Sequence, residues 1–173
     1  TLDLLVITWG TAWVYRYTRE NIVVSNCHKI PSQEFERSRL SVEDIVKEYL
    51  VLIGRLREIN PGLRILFTVS PIRHWKDGAH GNQLSKATLL LAIDRLREEL
   101  QHVYYFPAYE IVLDELRDYR FYADDMLHMS GFTVDYIWER FLYSFISPEV
   151  LGLMNQIGRV NKGVAHRPFD PQS

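Results

Sequence analysis

Three apolar runs along the chain have the length and composition of buried β-strands. Each is followed by a turn that contains Gly or Pro, and they cover residues 2–8, 63–69 and 103–106. A nearly continuous apolar run indicates a strand that is buried on both faces, as in a parallel sheet. A shorter apolar run at residues 22–24 predicts a possible further strand within the polar, mixed segment 16–31.

Segments with helical periodicity separate these runs. The first predicted helix begins at a variant capping box, Ser41-Val42-Glu43-Asp44, and is stopped by Asn60-Pro61-Gly62. Further helices are predicted near residues 84–101, 109–116 and 133–145, with a loop rich in Gly and His at residues 77–82.

This alternation predicts an α/β domain with right-handed crossovers and a mainly parallel sheet that is covered on both faces. We assign residues 1–147 to this domain and residues 148–173 to a polar C-terminal tail or arm. The chain begins at Thr1 rather than Met and enters a strand almost at once. We therefore expect the fold to be incomplete at its N-terminus, with the chain forming the C-terminal part of a longer protein.

Composition narrows the functional classes. A net charge of −2 gives no indication of a nucleic-acid or anionic-membrane partner. No apolar run approaches the ~18 residues of a membrane span. The single cysteine, Cys27, excludes an internal disulfide and fits a reducing compartment such as the cytoplasm. No Gly-rich phosphate loop follows a strand, so no organic cofactor is predicted. The oligomeric state stays open.

Candidate chemistry lies where the strands end. In parallel sheets the working residues cluster beyond the carboxyl ends of the strands, which here means residues 10–13, 70–74 and 107–110. Arg73 and His74 could bind an anionic substrate or a tetrahedral oxyanion at this edge. The alternative is that Arg73 anchors a nearby carboxylate such as Glu110.

A further motif places Asp125 three residues before His128 in a predicted turn. An acid at this spacing can fold back and bond the imidazole, which fixes its tautomer and stabilises its protonated form. A general base that activates a serine needs both effects. The alternative interpretation is a helix cap beside a surface histidine.

Together these segments resemble a known family. Residues 3–11 resemble the third block of the SGNH/GDSL hydrolases, and Asp125-x-x-His128 with residues 130–132 resembles their fifth block. Several further segments resemble the GSCFA-domain branch of that superfamily: residues 10–15, 26–29, 68–74, 82–86, 105–110 and 118–122.

The resemblance implies a flavodoxin-like three-layer α/β/α sandwich and serine-dependent acyl chemistry. His128 would be the general base and Asp125 its orienting acid. The family's nucleophilic serine lies upstream of the third block, and this chain does not contain it. Ala12 stands where the block has Asn, and losing such an oxyanion donor can cost ~10²–10³-fold in rate. The oxyanion or substrate-binding candidates are Gly10, Asn26, Arg73 and His74.

Other residues could supply an oxyanion donor or a nucleophile. Asn26 could offer its amide to an oxyanion or simply form a turn. Ser70 stands at a strand end but lacks the flanking glycines of a nucleophile elbow. Cys27 and His28 are adjacent, and because neighbours in a strand point to opposite faces, this adjacency does not make a thiol–imidazole pair.

A metal site built from His28, His74, His128 and Asp125 fits no compact ligand spacing, so no metal is predicted. In the aromatic segment 104–122, an exposed ring could stack on a sugar.

Three functions follow from this interpretation. The first is an ester hydrolase acting on a small-molecule or glycan acyl ester through a serine outside this chain. The second is a glycan O-acyltransferase, in which a sugar hydroxyl replaces water. The third is a ligand-binding domain without catalysis, because folds host unrelated functions.

Overall fold

The computed structural model describes residues 2–25 and 27–165. It divides the chain into two compact units, Thr1–Met129 and Ser130–Ser173. The elements of the first unit are, in chain order, β1 (Leu4–Trp9), β2 (Trp13–Tyr17), β3 (Ile22–Val24), β4 (Phe35–Arg39), α1 (Val42–Ile59), β5 (Arg64–Val69), α2 (Gly78–Glu99), β6 (Val103–Phe106) and α3 (Ala108–Glu110). A π-helical segment, Ile111–Leu116, continues α3.

A three-stranded parallel sheet in the order β1–β5–β6 confirms the α/β class. The central strand pairs Ile65 with Leu5 on one side and with Val103 on the other. Helix α1 lies in the connection from β1 to β5, and α2 lies in the connection from β5 to β6. Their apolar residues join one core cluster with alternate residues of β5, namely Ile65, Phe67 and Val69.

The expected burial on both faces holds for β5 but is wrong for β1. Residues Ile65, Leu66 and Phe67 are fully buried, whereas the side chain of Val6 is 47% exposed. The reason is position in the described sheet, where β5 lies between two strands and β1 has β5 on one side.

A second, antiparallel sheet was not predicted, although its β3 confirms the strand expected at residues 22–24. It has the order β3–β2–β4 and lies in the connection between β1 and α1. Every residue of β2 is partly buried, so the strand lacks the clear apolar alternation that marks a half-buried strand.

Capping explains the start of α1, and polar packing explains the early start of α2. The Ser41 hydroxyl accepts a hydrogen bond from the Asp44 N–H at 3.0 Å, and the Asp44 carboxylate accepts one from the Ser41 N–H at 3.3 Å. Helix α2 begins at Gly78, so the predicted loop at residues 77–82 is wrong. Its first turns bury Asn82 through polar contacts, which hydrophobic periodicity does not reveal.

The second unit consists of α4 (Gly131–Phe145) and α5 (Pro148–Ala165) within the described residues. Ser130 caps α4 by accepting a hydrogen bond from the Thr133 N–H at 3.3 Å. The predicted arm at residues 148–173 contains α5, which the sequence interpretation did not anticipate, and its last eight residues lie outside the described part. Across the described helices, none combines the length and apolar character of a membrane span.

Candidate active site

A buried lysine joins the ends of two parallel strands. The Lys86 ammonium donates hydrogen bonds to the Gly10 carbonyl, just past β1, and to the Ser70 carbonyl, just past β5, both at 2.6 Å. Lys86 as a whole is only 1% exposed to solvent. Burial lowers the pKa of Lys86 to about 8, because removal from water disfavours the charged form. Lys86 therefore holds the carboxyl edge of the sheet together.

We expect Lys86 to make the free energy of unfolding rise with pH. Its folded pKa of about 8 lies below the ~10.4 of an unfolded lysine, so between these values the unfolded state binds more protons. The rise from this group between pH ~7.5 and ~9.5 is roughly 2 kcal/mol. Urea unfolding at both pH values should show this rise in the wild type and its loss in Lys86→Met. An equal rise in the variant would assign the effect to another group.

The turn after β1 has Ala12 where the resemblance implies an Asn that donates to the oxyanion, so this position has no side-chain donor. Ala12 is buried in the core cluster, and its backbone N–H donates to the Ser85 hydroxyl at 2.8 Å. The Thr11 hydroxyl lies 3.0 Å from the same Ser85 oxygen. Gly10 instead approaches a histidine, since a Cβ placed on it would lie 3.6 Å from His74 Nε2. Gly10 and His74, both predicted candidates, are thus neighbours.

Arg73 and His74 line a cleft of about 330 Å³ beyond β5. The His74 N–H donates to the Asn82 side-chain oxygen at 3.1 Å, which fixes the loop against α2. His74 also lines a second cleft, of about 650 Å³, beside the antiparallel sheet. The two clefts therefore meet at this histidine.

Aromatic side chains surround the Arg73 guanidinium. Its central carbon lies 5.0 Å from the centroid of the Tyr122 ring, 5.5 Å from that of Tyr119 and 5.9 Å from that of Trp75. Hydrogen bonds to Tyr119 and Tyr122 raise the pKa of Arg73. The alternative partner Glu110 accepts a hydrogen bond from the Tyr105 hydroxyl at 2.6 Å, and no ion pair joins Arg73 to a carboxylate among the described residues.

Asp125 and His128 form the bond that their spacing predicts. Oδ2 of Asp125 lies 2.5 Å from Nδ1 of His128. The other carboxylate oxygen accepts the backbone N–H groups of Leu127 at 2.9 Å and His128 at 2.8 Å. The loop is closed at its base by a hydrogen bond of 2.8 Å from the Ala123 N–H to the His128 carbonyl. The carboxylate is therefore fixed before it orients the imidazole.

Hydrogen bonds keep Asp125 ionised. The His128 side chain, followed by the His128 and Leu127 N–H groups, lowers the pKa of Asp125 to about 2. Because the folded pKa lies below the unfolded value of ~3.9, this stabilisation is complete above pH ~4 and is lost as the pH falls toward 2. The His128 side chain is 60% exposed, so water and other molecules can reach the imidazole.

The predicted site residues form two groups within the first unit. Gly10, Arg73 and His74 lie together at the sheet edge, whereas Asp125 and His128 do not line the cleft. The groups are linked through Tyr122, which lies beside Arg73 and pairs with Met129, the residue after His128. Asn26 lies outside the described residues.

The remaining nucleophile and metal alternatives gain no support from the geometry. The Ser70 hydroxyl accepts the Ile72 N–H at 3.3 Å within its own turn. Cys27 is a free, partly buried thiol, and His28 follows it in a turn rather than a strand. In the part of the chain that the structure describes, no group of three or more His, Cys, Asp or Glu residues could hold a metal ion.

Sequence reasoning missed the polar face of α2. Asn82, Ser85 and Lys86 lie three and four residues apart, so they share a helix face, and all three are buried against the strand ends. The signal was present in residues 82–86, which were noted for their resemblance but given no role. Polar residues at helical spacing within an otherwise apolar stripe indicate a buried network.

The site thus belongs to an α/β domain with an Asp–His pair beyond its last parallel strand. The model of the GSCFA family matches residues 1–141, and the chain belongs to this family. This confirms the resemblance to the GSCFA family found in the sequence, whereas the wider assignment to the SGNH/GDSL superfamily stays a prediction. Searches of curated proteins and of solved structures returned no match.

Proposed function

We propose that the protein is a serine-dependent acyl-ester hydrolase whose nucleophilic serine is supplied by a segment outside this chain. The observation that carries the proposal is the 2.5 Å contact between His128 Nδ1 and Asp125 Oδ2. With Nδ1 occupied as a donor to the carboxylate, Nε2 is the nitrogen that can take a proton from a serine hydroxyl. In this proposal His128 is the general base and Asp125 its positioning residue.

His128 transfers a proton twice in each half of the proposed reaction, and in the second half the proton taken from water returns to the serine oxygen. Nε2 first takes the serine proton as the hydroxyl oxygen attacks the ester carbonyl, and it then returns this proton to the leaving alcohol. Water, activated in the same way, hydrolyses the acyl-serine and releases the acid. The ionised Asp125 stabilises the imidazolium that forms in each half of the cycle. No metal or organic cofactor is part of this scheme.

Family analogy supports the proposal at two further levels. The order β1–β5–β6, with α1 and α2 in its connections, is compatible with a flavodoxin-like three-layer sandwich. The blocks around residues 3–11 and 125–132 resemble those of the SGNH/GDSL superfamily. We propose both assignments together with the activity. Gly10, Asn26, Arg73 and His74 stay proposed contributors to oxyanion or substrate binding.

Hydrolysis and acyl transfer share the same acyl-serine and differ in the acceptor, since transfer to a sugar hydroxyl requires a site from which water is excluded. The buried Ala12 supports a second candidate, a ligand-binding domain without turnover, because it provides no side-chain donor for an oxyanion.

A fluorophosphonate probe on the complete gene product tests the proposal. We expect one serine outside this chain to be labelled in the wild type and left unlabelled in His128→Ala, since the probe reacts with an activated serine. Peptide mass spectrometry identifies the adduct, and His80→Ala, which removes an exposed histidine of α2, serves as the matched control. Absence of an adduct, together with retained ligand binding, would favour the non-catalytic domain.

A further inference from the structure

We propose that the cleft beside Arg73 binds small organic acids, with the carboxylate at the guanidinium and an apolar body against the facing wall. The inference stands independently of ester hydrolysis, because it concerns equilibrium binding to this chain alone. It rests on the charge of Arg73, on the state of the other charged groups and on the composition of the cleft wall.

The charge of Arg73 is not neutralised within the described protein. Its partners Tyr119 and Tyr122 are neutral hydroxyls, and no carboxylate forms an ion pair with it among the described residues. A guanidinium matches the two oxygens of a carboxylate with parallel donors, which gives strong, oriented hydrogen bonds.

The other charged side chains of the cleft reach solvent. The side chain of Asp118 is 55% exposed and lies 3.9 Å from the Arg120 guanidinium. The side chain of Arg117 is 71% exposed and lies 4.0 Å from the Asp114 carboxylate. Exposed charges of this kind interact weakly because water screens them. Arg73 is the partly buried fixed charge of this lining.

The rest of the wall suits an apolar body better than a sugar. It includes the aliphatic and aromatic side chains of Pro71, Ala79, Tyr109, Val112 and Leu113. The oxygens of its two amide side chains already accept hydrogen bonds within the protein, Asn82 from the His74 N–H and Gln83 from the Tyr109 hydroxyl, so neither is a free acceptor for a sugar hydroxyl. At about 330 Å³ the cleft is at the small end of the ~300–1,000 Å³ of ligand pockets, which fits a single ring or a short acyl chain.

NMR titration of this chain with benzoate tests the proposal. The indole N–H signal of Trp75, identified by its loss in Trp75→Phe, should shift saturably with benzoate and hexanoate. Benzyl alcohol, acetate and inorganic phosphate should bind at least tenfold more weakly, since each lacks the charge or the body. Arg73→Gln should weaken benzoate binding at least about tenfold, the effect of losing a charge-assisted hydrogen bond. Arg95→Gln, which removes a paired surface arginine of α2, should bind as the wild type does.

Several outcomes would overturn the proposal. Equal affinity for benzoate and benzyl alcohol would remove the role of charge, and equal affinity for phosphate would remove the role of the apolar wall. Tighter binding of galacturonate than of benzoate would assign the cleft to acidic sugars. If Arg73→Gln fails to fold, the selectivity of the wild type still decides, and Arg73→Lys tests the paired donors. Benzoate binding involves no covalent step, which separates this result from any failure of the proposed hydrolysis.

Discussion

Under the proposed hydrolysis, replacing His128 with Ala in the complete protein is expected to lower kcat for an activated ester by about 10³-fold or more, in the range for loss of a general base. The reason is the fixed geometry of the pair, in which Asp125 occupies Nδ1 and directs the basic lone pair to Nε2. Steady-state hydrolysis of p-nitrophenyl acetate measures the change. His80→Ala provides the control, and activity within tenfold of the wild type would show that His128 is not the base.

The conservative variant Asp125→Asn separates an orienting role from a merely structural one. One carboxylate oxygen accepts both loop N–H groups, so the amide nitrogen of Asn would replace the oxygen that faces His128. Nδ1 would then have to accept a hydrogen bond, which places the ring proton on Nε2 and removes its basicity. We expect the loop to persist while kcat falls by about 10²-fold or more. Unchanged backbone NMR shifts at Leu127, with the predicted fall in kcat, would distinguish the two roles.

Replacing Phe67 with Ala is expected to destabilise the first unit by about 3–5 kcal/mol. Phe67 is 0% exposed in the central strand. Its ring centroid lies 4.7 Å from that of Trp9 and 5.6 Å from that of Tyr49. Truncation removes these ring contacts and leaves a cavity between β1, α1 and β5 that the neighbouring side chains fill poorly. The midpoint of urea unfolding should fall accordingly.

A neighbouring aromatic residue provides the control for this measurement. Tyr104 lies on β6 and is 42% exposed, so Tyr104→Ala should cost about 1 kcal/mol or less. Similar losses for both variants would contradict the placement of the core on the Phe67 face of the sheet. Helices α1 and α2 both pack on this face of the sheet.

Local signals predicted those parts of the fold that depend on local chemistry. Strand β6 coincides with the predicted residues 103–106, and the Ser41 capping box fixed the start of α1. The early start of α2 and the antiparallel sheet were not predictable in this way. Both depend on polar or half-buried residues whose partners are distant in sequence, such as Asn82 with His74 or Trp13 with Arg39.

The same distinction between local and long-range contacts applies to the candidate site. The Asp125–His128 bond spans three residues, so its spacing was sufficient to predict it. The roles of Lys86 and Arg73 depend on long-range contacts, with Lys86 reaching back 76 residues to Gly10. The strand-end rule brought Gly10, Arg73 and His74 to one edge, because it is a property of parallel sheets rather than of individual residues.

The Lys86 bridge gives the sheet edge a chemical reporter of its own motion. Burial of the amine shields it from reagents. Acylation of Lys86 requires the contacts to Gly10 and Ser70 to open, so its rate follows the population of the open edge. Mass spectrometry of that one modification would measure how often the two strand ends separate.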